Sequence, residues 1–503
     1  MTEKNIIIVG AGIAGLSAGC YGQMNGYKVH IFEQNNSPGG LCTSWDRRGF
    51  TINGGLAFLG GSGPGTDFFH IWKELGVVPG IRMIDFDYFI IVEGESGKTF
   101  YLHTNLDKLG KHMKDLAPED EKQIQKFICG IQVFTKYQVP VEKALELYTP
   151  WDKIKFVLTC FPLIRAIAKS KNVTIKQFAD RFKNPFLRDA LLKAKAVFSD
   201  DLPLLAFQMF LAWSHLKSAG FPEGGGLQLS RALEKRFLEL GGKIHYDSHV
   251  FKILVKKGYA CGVRLDDGSE HGSDYVISAS DLRKTIFDLL EGKYINDKIQ
   301  GYFDHLPVAP SVVMVALGLA RKFRELPSAA VGIVYPLKSP IIIAGKEVKH
   351  LRPMIYNFDD TLAPEGKTLL RVVLPADYDY WKTVEENQIQ YEKEKKEVFE
   401  KVIQLLEQRF SGISSQVEMF DVATPLTLEH YTGNWRGSII GWDATTETFL
   451  KPISKTLPGL QNFWMTGQWV EPGGGVPMAA LSGRNIIQLV AKKDKKPFVT
   501  KIP

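Results

Sequence analysis

Ile6-Ile7-Ile8-Val9-Gly10-Ala11-Gly12-Ile13-Ala14-Gly15 opens the chain, and its reading decides the fold. The four β-branched residues form a continuous apolar run of the kind buried on both faces of a parallel sheet. Gly10, Gly12 and Gly15 follow at the GxGxxG spacing. The first glycine permits a tight turn, the second lets backbone approach a pyrophosphate, and the third lets a helix pack closely on a strand. A small-residue helix runs on to about Gly26, and Lys28 to Phe32 reads as a second strand ending at Glu33. The helix N-terminus, at Ile13 and Ala14, aims unpaired N–H groups at phosphates. A carboxylate at Glu33 accepts hydrogen bonds from ribose hydroxyls. The spacing alone also occurs in purely structural turns. Here it sits between a strand and a helix, with an acid closing the next strand, and it points to dinucleotide binding.

The rest of the chain is too long for one core. It has 503 residues, and single cores stop growing near roughly 250–300. With 45% hydrophobic and 23% charged residues, disorder and coiled coil are poor descriptions. Cys20, Cys42, Cys129, Cys160 and Cys261 are scattered, with no CxxC pair, so neither a disulfide framework nor a zinc site is expected. A reducing, cytoplasmic setting fits, either in solution or at the inner face of a membrane. The net charge of +7 is modest, and part of it sits in the tail with Lys492, Lys493, Lys495, Lys496 and Lys501. That tail reads either as a solvated terminus or as an attractor of anionic lipid. No nucleic-acid signature is present.

Two further blocks belong with the first. Phe221-Pro222-Glu223-Gly224-Gly225-Gly226 leads into a helix with Leu227, Leu229, Leu233, Phe237 and Leu240 on its apolar face, ended by Gly241-Gly242. Ile244 to Val255, Tyr259 to Leu265 and Glu270 to Ile277 read as successive strands. Near the C-terminus, Phe463 to Gly467 looks like a buried strand entering a glycine turn. Glu471-Pro472-Gly473-Gly474-Gly475-Val476-Pro477 and a helix from about Met478 to Val490 follow. Between the blocks, 70–215 is mostly helical in pattern. The stretch 295–445 alternates strands (Ser311 to Leu319, Lys367 to Pro375) with one long charged helix from Val384 to Phe410, whose inner face carries Val398, Val402, Leu405 and Phe410.

The segments after Glu33-Gln34 narrow the dinucleotide. Asn36-Ser37-Pro38-Gly39-Gly40-Leu41-Cys42 and Gly49 to Gly55 form two more glycine-rich turns. Together with the first turn they resemble the extended signature of the FAD-containing amine oxidase superfamily. The family usually has an acid where Asn53 stands. Thr466-Gly467-Gln468-Trp469 through Pro477 resembles the family's flavin-closing motif, and Pro222 to Gly226 its middle segment. The Pro-Gly-Gly-Gly-Val-Pro run is most like the phytoene desaturase, carotenoid isomerase and retinol saturase branch. The resemblance implies an α/β fold with a discontinuous Rossmann-type FAD-binding domain over 1–70, 220–290 and 455–495. A largely helical substrate or lid region over 71–219 and a mixed α+β substrate domain over 291–454 complete it, with a basic tail at 496–503. It implies that Gly10, Gly12, Ile13, Ala14, Gly15, Glu33, Gln34, Gly39, Gly40, Leu41, Asn53, Gly54 and Gly55 hold non-covalent FAD. Val250, Gly467, Gln468, Gly474, Gly475, Val476 and Pro477 complete that set, Val250 through its backbone. No cysteine follows Cys261, so the covalent flavin link of some amine oxidases is absent.

By that resemblance the substrate is a long apolar molecule of the isoprenoid, carotenoid or retinoid kind, desaturated, saturated or isomerised at carbon–carbon bonds. Oxidation of an amine and a non-catalytic prenyl-lipid carrier of the Rab escort type are the competing readings. No second GxGxxG and no CxxxxC pair occur, so a docked nicotinamide, a quinone, oxygen or a protein is left as electron partner. No catalytic acid or base and no metal ligand is assigned. His215 reads as a partnered core histidine, and Asp200-Asp201 as the cap of a helix from Leu202. Trp435 and Arg436 lie near the family's substrate region. Phe156 to Ile164 and Leu202 to Trp213 are apolar but far short of the roughly 20 residues that span a bilayer. Each is either a core helix or a surface patch that lies on a membrane. Gly12→Val is expected to abolish flavin retention while leaving much of the protein soluble; absorption of the purified variant checks it, and a fully yellow protein contradicts the phosphate-turn assignment.

Overall fold

The computed structural model describes residues 4–95, 97–138, 140–195, 198–449 and 451–503. Its first layer grows from the opening turn. Strand β1 (Asn5–Val9), helix α1 (Ile13–Met24) and strand β2 (Lys28–Phe32) form the βαβ unit. Helix α2 (Gly225–Glu239), strands β3 (Lys243–His245), β4 (Tyr275–Ser278) and β5 (Phe463–Met465), and helix α3 (Gly475–Lys493) join it from far along the chain. The five strands make one parallel sheet in the order β3-β2-β1-β4-β5. Succession runs outward from β1 through β2 to β3 and then reverses to β4. The switch point therefore lies between β1 and β4, where such sheets open a crevice at their carboxyl edge.

Helix α1 is buried nearly all round because small residues let its neighbours approach. A Cβ on Gly15 would overlap the Gly10 carbonyl oxygen, and one on Gly483 of α3 would stand 2.5 Å from the Ala14 oxygen. Ser17 Oγ donates to the Ala480 carbonyl at 2.6 Å, fixing the register of α1 on α3. At the far end Lys4, Tyr27 and Tyr275 all donate to the Asp494 carboxylate, which ties the end of α3 to β1, β4 and the turn before β2.

Three boundaries differ from the sequence reading. Ile244 to Val255 is not one strand: after β3 the Ser248 and Asp247 N–H groups donate to the Glu33 and Asn35 carbonyls, and Val250–Lys256 starts a separate antiparallel sheet with Tyr259–Leu265 and Glu270–Gly272. Glu270 to Ile277 divides likewise, since the Ser273 N–H bonds the Cys261 carbonyl and the Asp274 N–H the Asn5 carbonyl, handing the chain from one sheet to the other. The long charged helix is two, Tyr378–Glu385 and Gln388–Arg409; Asn387 caps the second by accepting from the Ile389 and Gln390 N–H groups.

A four-stranded antiparallel sheet within 291–454 runs Pro353–Ile355, Thr368–Pro375, Val312–Leu319, Val417–Ala423. Its outer face packs Val313, Val315, Leu370 and Val372 against Val398, Val402 and Leu405 of the charged helix. The stretch 71–219 carries helices but also a hairpin, Tyr88–Glu93 with Thr99–His103, that joins Ile333–Ile343 in a second sheet. Leu204–His215 is buried, as a core helix should be. Asp200 does not cap it; Pro203 precedes the helix, and Asp200 pairs with Lys176 and Lys195 instead. The tail is solvent-exposed yet tied down: the Val499 N–H donates to Asn25 Oδ1 at 2.9 Å, and Arg236 donates to the Lys501 carbonyl at 2.6 Å.

The second apolar stretch behaves differently. On helices Pro150–Thr159 and Phe161–Ser170, Trp151 is 78% exposed, Leu158 74% and Phe161 57%, with Ile154 and Val157 beside them. This surface is apolar without a covering element among the described residues.

Candidate functional site

The carboxyl ends of β1, β2, β4 and β5 open into one cavity of about 1210 Å³. That exceeds the roughly 300–1,000 Å³ of a pocket for one drug-sized ligand. Two helices begin on its wall. Helix α1 starts after Gly12 and α3 after Gly474, and no side chain caps either N-terminus. Their first-turn N–H groups and the positive ends of their dipoles therefore face the cavity without a partner, the arrangement that receives an anion. A third, α2, also starts after a glycine, but its N-terminus is occupied: Asn53 Oδ1 accepts from the Gly226 N–H at 3.0 Å and Asp359 from the Gly224 N–H at 2.8 Å.

The turn before α1 is closed by backbone. Gly10, at φ +97°, donates to the Phe32 carbonyl, and Gly39, at φ +121°, donates to the Ala11 carbonyl. A Cβ on Gly12 would meet nothing nearer than the Gly39 oxygen at 3.9 Å. A larger side chain there would project into the cavity rather than into protein.

The residues expected to hold a cofactor come together on this wall. Gly10, Gly12, Ile13, Ala14, Glu33, Gln34, Gly39, Gly40, Leu41, Gly54, Gly55, Val250, Gly467, Gln468, Gly474, Gly475, Val476 and Pro477 all line the cavity. Gly15 and Asn53 do not. Gly15 is spent on the contact with Gly10. Asn53 lies fully buried behind the wall, donating to the Leu56 carbonyl at 2.6 Å and the Tyr356 hydroxyl at 3.2 Å while its oxygen caps α2. An ionised acid could accept at Gly226 but could not donate to Leu56, which accounts for an amide at this position.

Glu33 is buried, and its carboxylate accepts from the Ala11 N–H at 2.7 Å and the Asn35 N–H at 2.9 Å. Oε1 also accepts from Asn35 Nδ2 at 2.9 Å, so Oε2 is the oxygen with a further lone pair for a ligand hydroxyl. Gln34 and Asn35 both donate to the Tyr431 carbonyl, and Gln468 donates to Asn434 Oδ1 at 3.1 Å.

Two groups at the cavity carry no sequence motif. The loop after β4 brings Ala279, Ser280 and Asp281 to the crevice. Burial pushes the Asp281 carboxyl up to about 6, against the Trp435, Lys284 and Arg283 N–H groups that favour its charge. Arg371, from the antiparallel sheet, donates to the Asn53 and Gly54 carbonyls at 2.6 and 2.9 Å and so clamps the second glycine turn. The first was findable from topology alone, since every strand ending at a switch point contributes there. The second was not, because its partners are backbone atoms more than 300 residues away.

Other singled-out residues lie elsewhere. His215 Nδ1 accepts from the Leu106 N–H at 3.3 Å, the partnered role expected of it. Trp435 packs against Trp442 and Trp469, and Arg436 pairs with Asp379 over the Tyr378 ring; neither lines the cavity. Among the described residues no cluster of His, Cys, Asp or Glu is placed to hold a metal ion, and no helix is long and apolar enough to cross a membrane.

Comparison with known proteins agrees with this geometry. The chain is 26% identical to a 4,4'-diaponeurosporene oxygenase of Staphylococcus haemolyticus over 97% of each chain. It is 25% identical to the chloroplastic prolycopene isomerase of Daucus carota over 96% of this chain and 79% of that one. In fold it matches an oxidoreductase from Methanosarcina mazei with a TM-score of 0.61 at 18% identity, over 96% of this chain and all of the other. The family model for flavin-containing amine oxidoreductases matches residues 13–490. With uncapped helix ends and glycine turns gathered on one crevice across that whole span, the chain belongs to the flavin-containing amine oxidoreductases and is a flavin-dependent oxidoreductase.

Proposed function

We propose that this protein uses non-covalent FAD to introduce, reduce or isomerise carbon–carbon double bonds in a long apolar substrate of the isoprenoid or carotenoid kind. The observation that carries the proposal is the continuity of one cavity. Its glycine-lined half suits a dinucleotide, and its other half is walled by Phe58, Phe210, Trp213, Val312, Met314 and Val331. The names of the two relatives, both carotenoid-modifying, support the same substrate class.

In this reading the segments 1–70, 220–290 and 455–495 hold the cofactor, while 71–219 and 291–454 shape the substrate half. Glu33 holds ribose hydroxyls, the N-terminus of α1 receives the pyrophosphate, and the backbone from Gly474 to Pro477 passes close to the flavin ring with the α3 dipole behind it. FAD, when bound, supplies a hydride acceptor or donor in its central ring. The protein's part is to lay the substrate along the apolar wall within roughly 3–3.5 Å of that ring and to exclude water. Intact glycines at 467 and 473–475 set the chain apart from a flavin-free carrier.

The exposed patch on Pro150–Ser170 supports peripheral docking on an anionic bilayer. Trp151, Leu158 and Phe161 are apolar outward, and exposed Lys153, Lys155, Arg165 and Lys169 surround them. Asp152 is the one acid among them and is held by Lys143 and Thr149. An aromatic and aliphatic face ringed by cations is the pattern of a helix lying at the headgroup level. Glu146, just before this patch, shares Lys455 with Glu471, which adjoins the Gly473–Pro477 loop at the cavity.

Two outcomes are expected. Anaerobic mixing of the flavin-loaded protein with long polyenes should bleach or restore the flavin absorption, and small primary amines should leave it unchanged; reduction by amines alone would favour the amine-oxidase reading. Sedimentation with phosphatidylserine vesicles should occur at low salt, weaken as salt is raised, and fall sharply for Trp151→Glu/Leu158→Glu. No sedimentation of the parent protein at low salt would remove the membrane from the account.

A further inference from the structure

The antiparallel sheet of the substrate half turns alternate side chains toward the cavity. Met354 stands opposite Arg371, and Val373 opposite Met314. Arg352, two residues before Met354, continues the same face and lines the cavity beside Met354, Val373 and Met314.

Three charged residues occupy this face, and two have hydrogen-bond partners. Asp421, on the far edge strand, accepts from Trp45 Nε1 at 2.8 Å and pairs with Arg47 at 3.6 Å. Arg371 donates to the Asn53 and Gly54 carbonyls, but its Nε has no partner and its charge no counter-ion among the described residues. Arg352 has no hydrogen-bond or ion-pair partner among the described residues and is half-buried on the cavity wall. Burial, with the Arg371 charge beside it, lowers its guanidinium to about 10, so it remains a cation at neutral pH. A half-buried charge on a cavity wall without a counter-ion is placed for a ligand to complete the pair.

We propose that Arg352 receives a carboxylate at one end of the otherwise apolar substrate, so that the substrate class is a long isoprenoid acid. A carboxylate matches the planar guanidinium fork with two parallel hydrogen bonds and supplies the counter-charge Arg352 lacks. An alcohol or aldehyde would leave that charge uncompensated. Arg352 thus sets which end of the chain enters deepest and hence which bond meets the flavin. This rests on the reading of the cavity as an apolar-substrate site.

The test uses the full-length, flavin-loaded protein and two probes of equal chain, all-trans-retinoic acid and all-trans-retinol, followed by equilibrium dialysis. The acid should bind about 10- to 100-fold more tightly than the alcohol, the range of a hydrogen-bonded charge pair. Arg352→Met should erase that preference while leaving alcohol affinity, flavin content and flavin spectrum unchanged, and should melt no lower than the parent. Arg352→Gln should give the same loss with a polar side chain retained, and Arg352→Lys should keep part of the preference. Equal binding of acid and alcohol by the parent protein would overturn the proposal alone. So would equal loss of both probes in the Met and Gln variants, or a shifted flavin spectrum with the preference intact, which would give the guanidinium to the cofactor. Binding of neither probe would overturn the apolar-substrate reading and the proposal with it.

Discussion

The closeness of α1 to α3 is the constraint on which the site depends. Two helices that begin more than 460 residues apart in the chain can open their N-termini onto one crevice only if their axes run side by side from the sheet's carboxyl edge. Gly483 removes the side chain that would strike Ala14, and the Ser17 hydroxyl bonds across to the Ala480 carbonyl. Gly15 does the same between α1 and β1. Each of these small residues leaves the helix ends themselves untouched and uncapped, so the dipoles converge where phosphate and flavin are proposed to lie. The Asp494 cluster at the opposite end of α3 holds the pair from sliding.

The segment 291–454 answers a different constraint. Its antiparallel sheet has one face sealed by the charged helix and the other turned to the cavity, so strand alternation alone separates core residues from lining residues. A shift of one residue in Pro353–Ile355 would exchange Arg352 and Met354 for Pro353 and bury the guanidinium in the wrong layer. Arg371 links the two halves, since the same side chain that stands on the substrate sheet fixes the carbonyls of the second glycine turn.

The glycine-lined half of the cavity was legible in the sequence to a degree the apolar half was not, and the reason is physical. Turns that approach a pyrophosphate demand glycine at fixed spacing, and a buried parallel strand demands a β-branched run, so Ile6 to Gly15 and Phe463 to Pro477 declare themselves. Breaks between successive strands do not, because Tyr246 to Val250 changes sheets through ordinary residues whose backbone bonds reach distant partners. Asn53 sits inside a recognisable motif, yet its work is to cap α2 from across the chain. The apolar stretch at Phe156 to Ile164 has the composition of a core helix, and only tertiary packing leaves Trp151, Leu158 and Phe161 outside. Arg352 carries no motif at all, because its proposed role rests on no described carboxylate pairing with it.

The central claim is that the crevice between β1 and β4 holds FAD. The most direct measurement is the visible absorption of the purified protein, followed by heat release and chromatography of any bound chromophore. The account predicts flavin bands near saturation and released FAD rather than FMN, with nothing yellow left on the denatured chain. A colourless protein that takes up no added FAD would contradict it, since the two uncapped helix ends would then have no anion to receive.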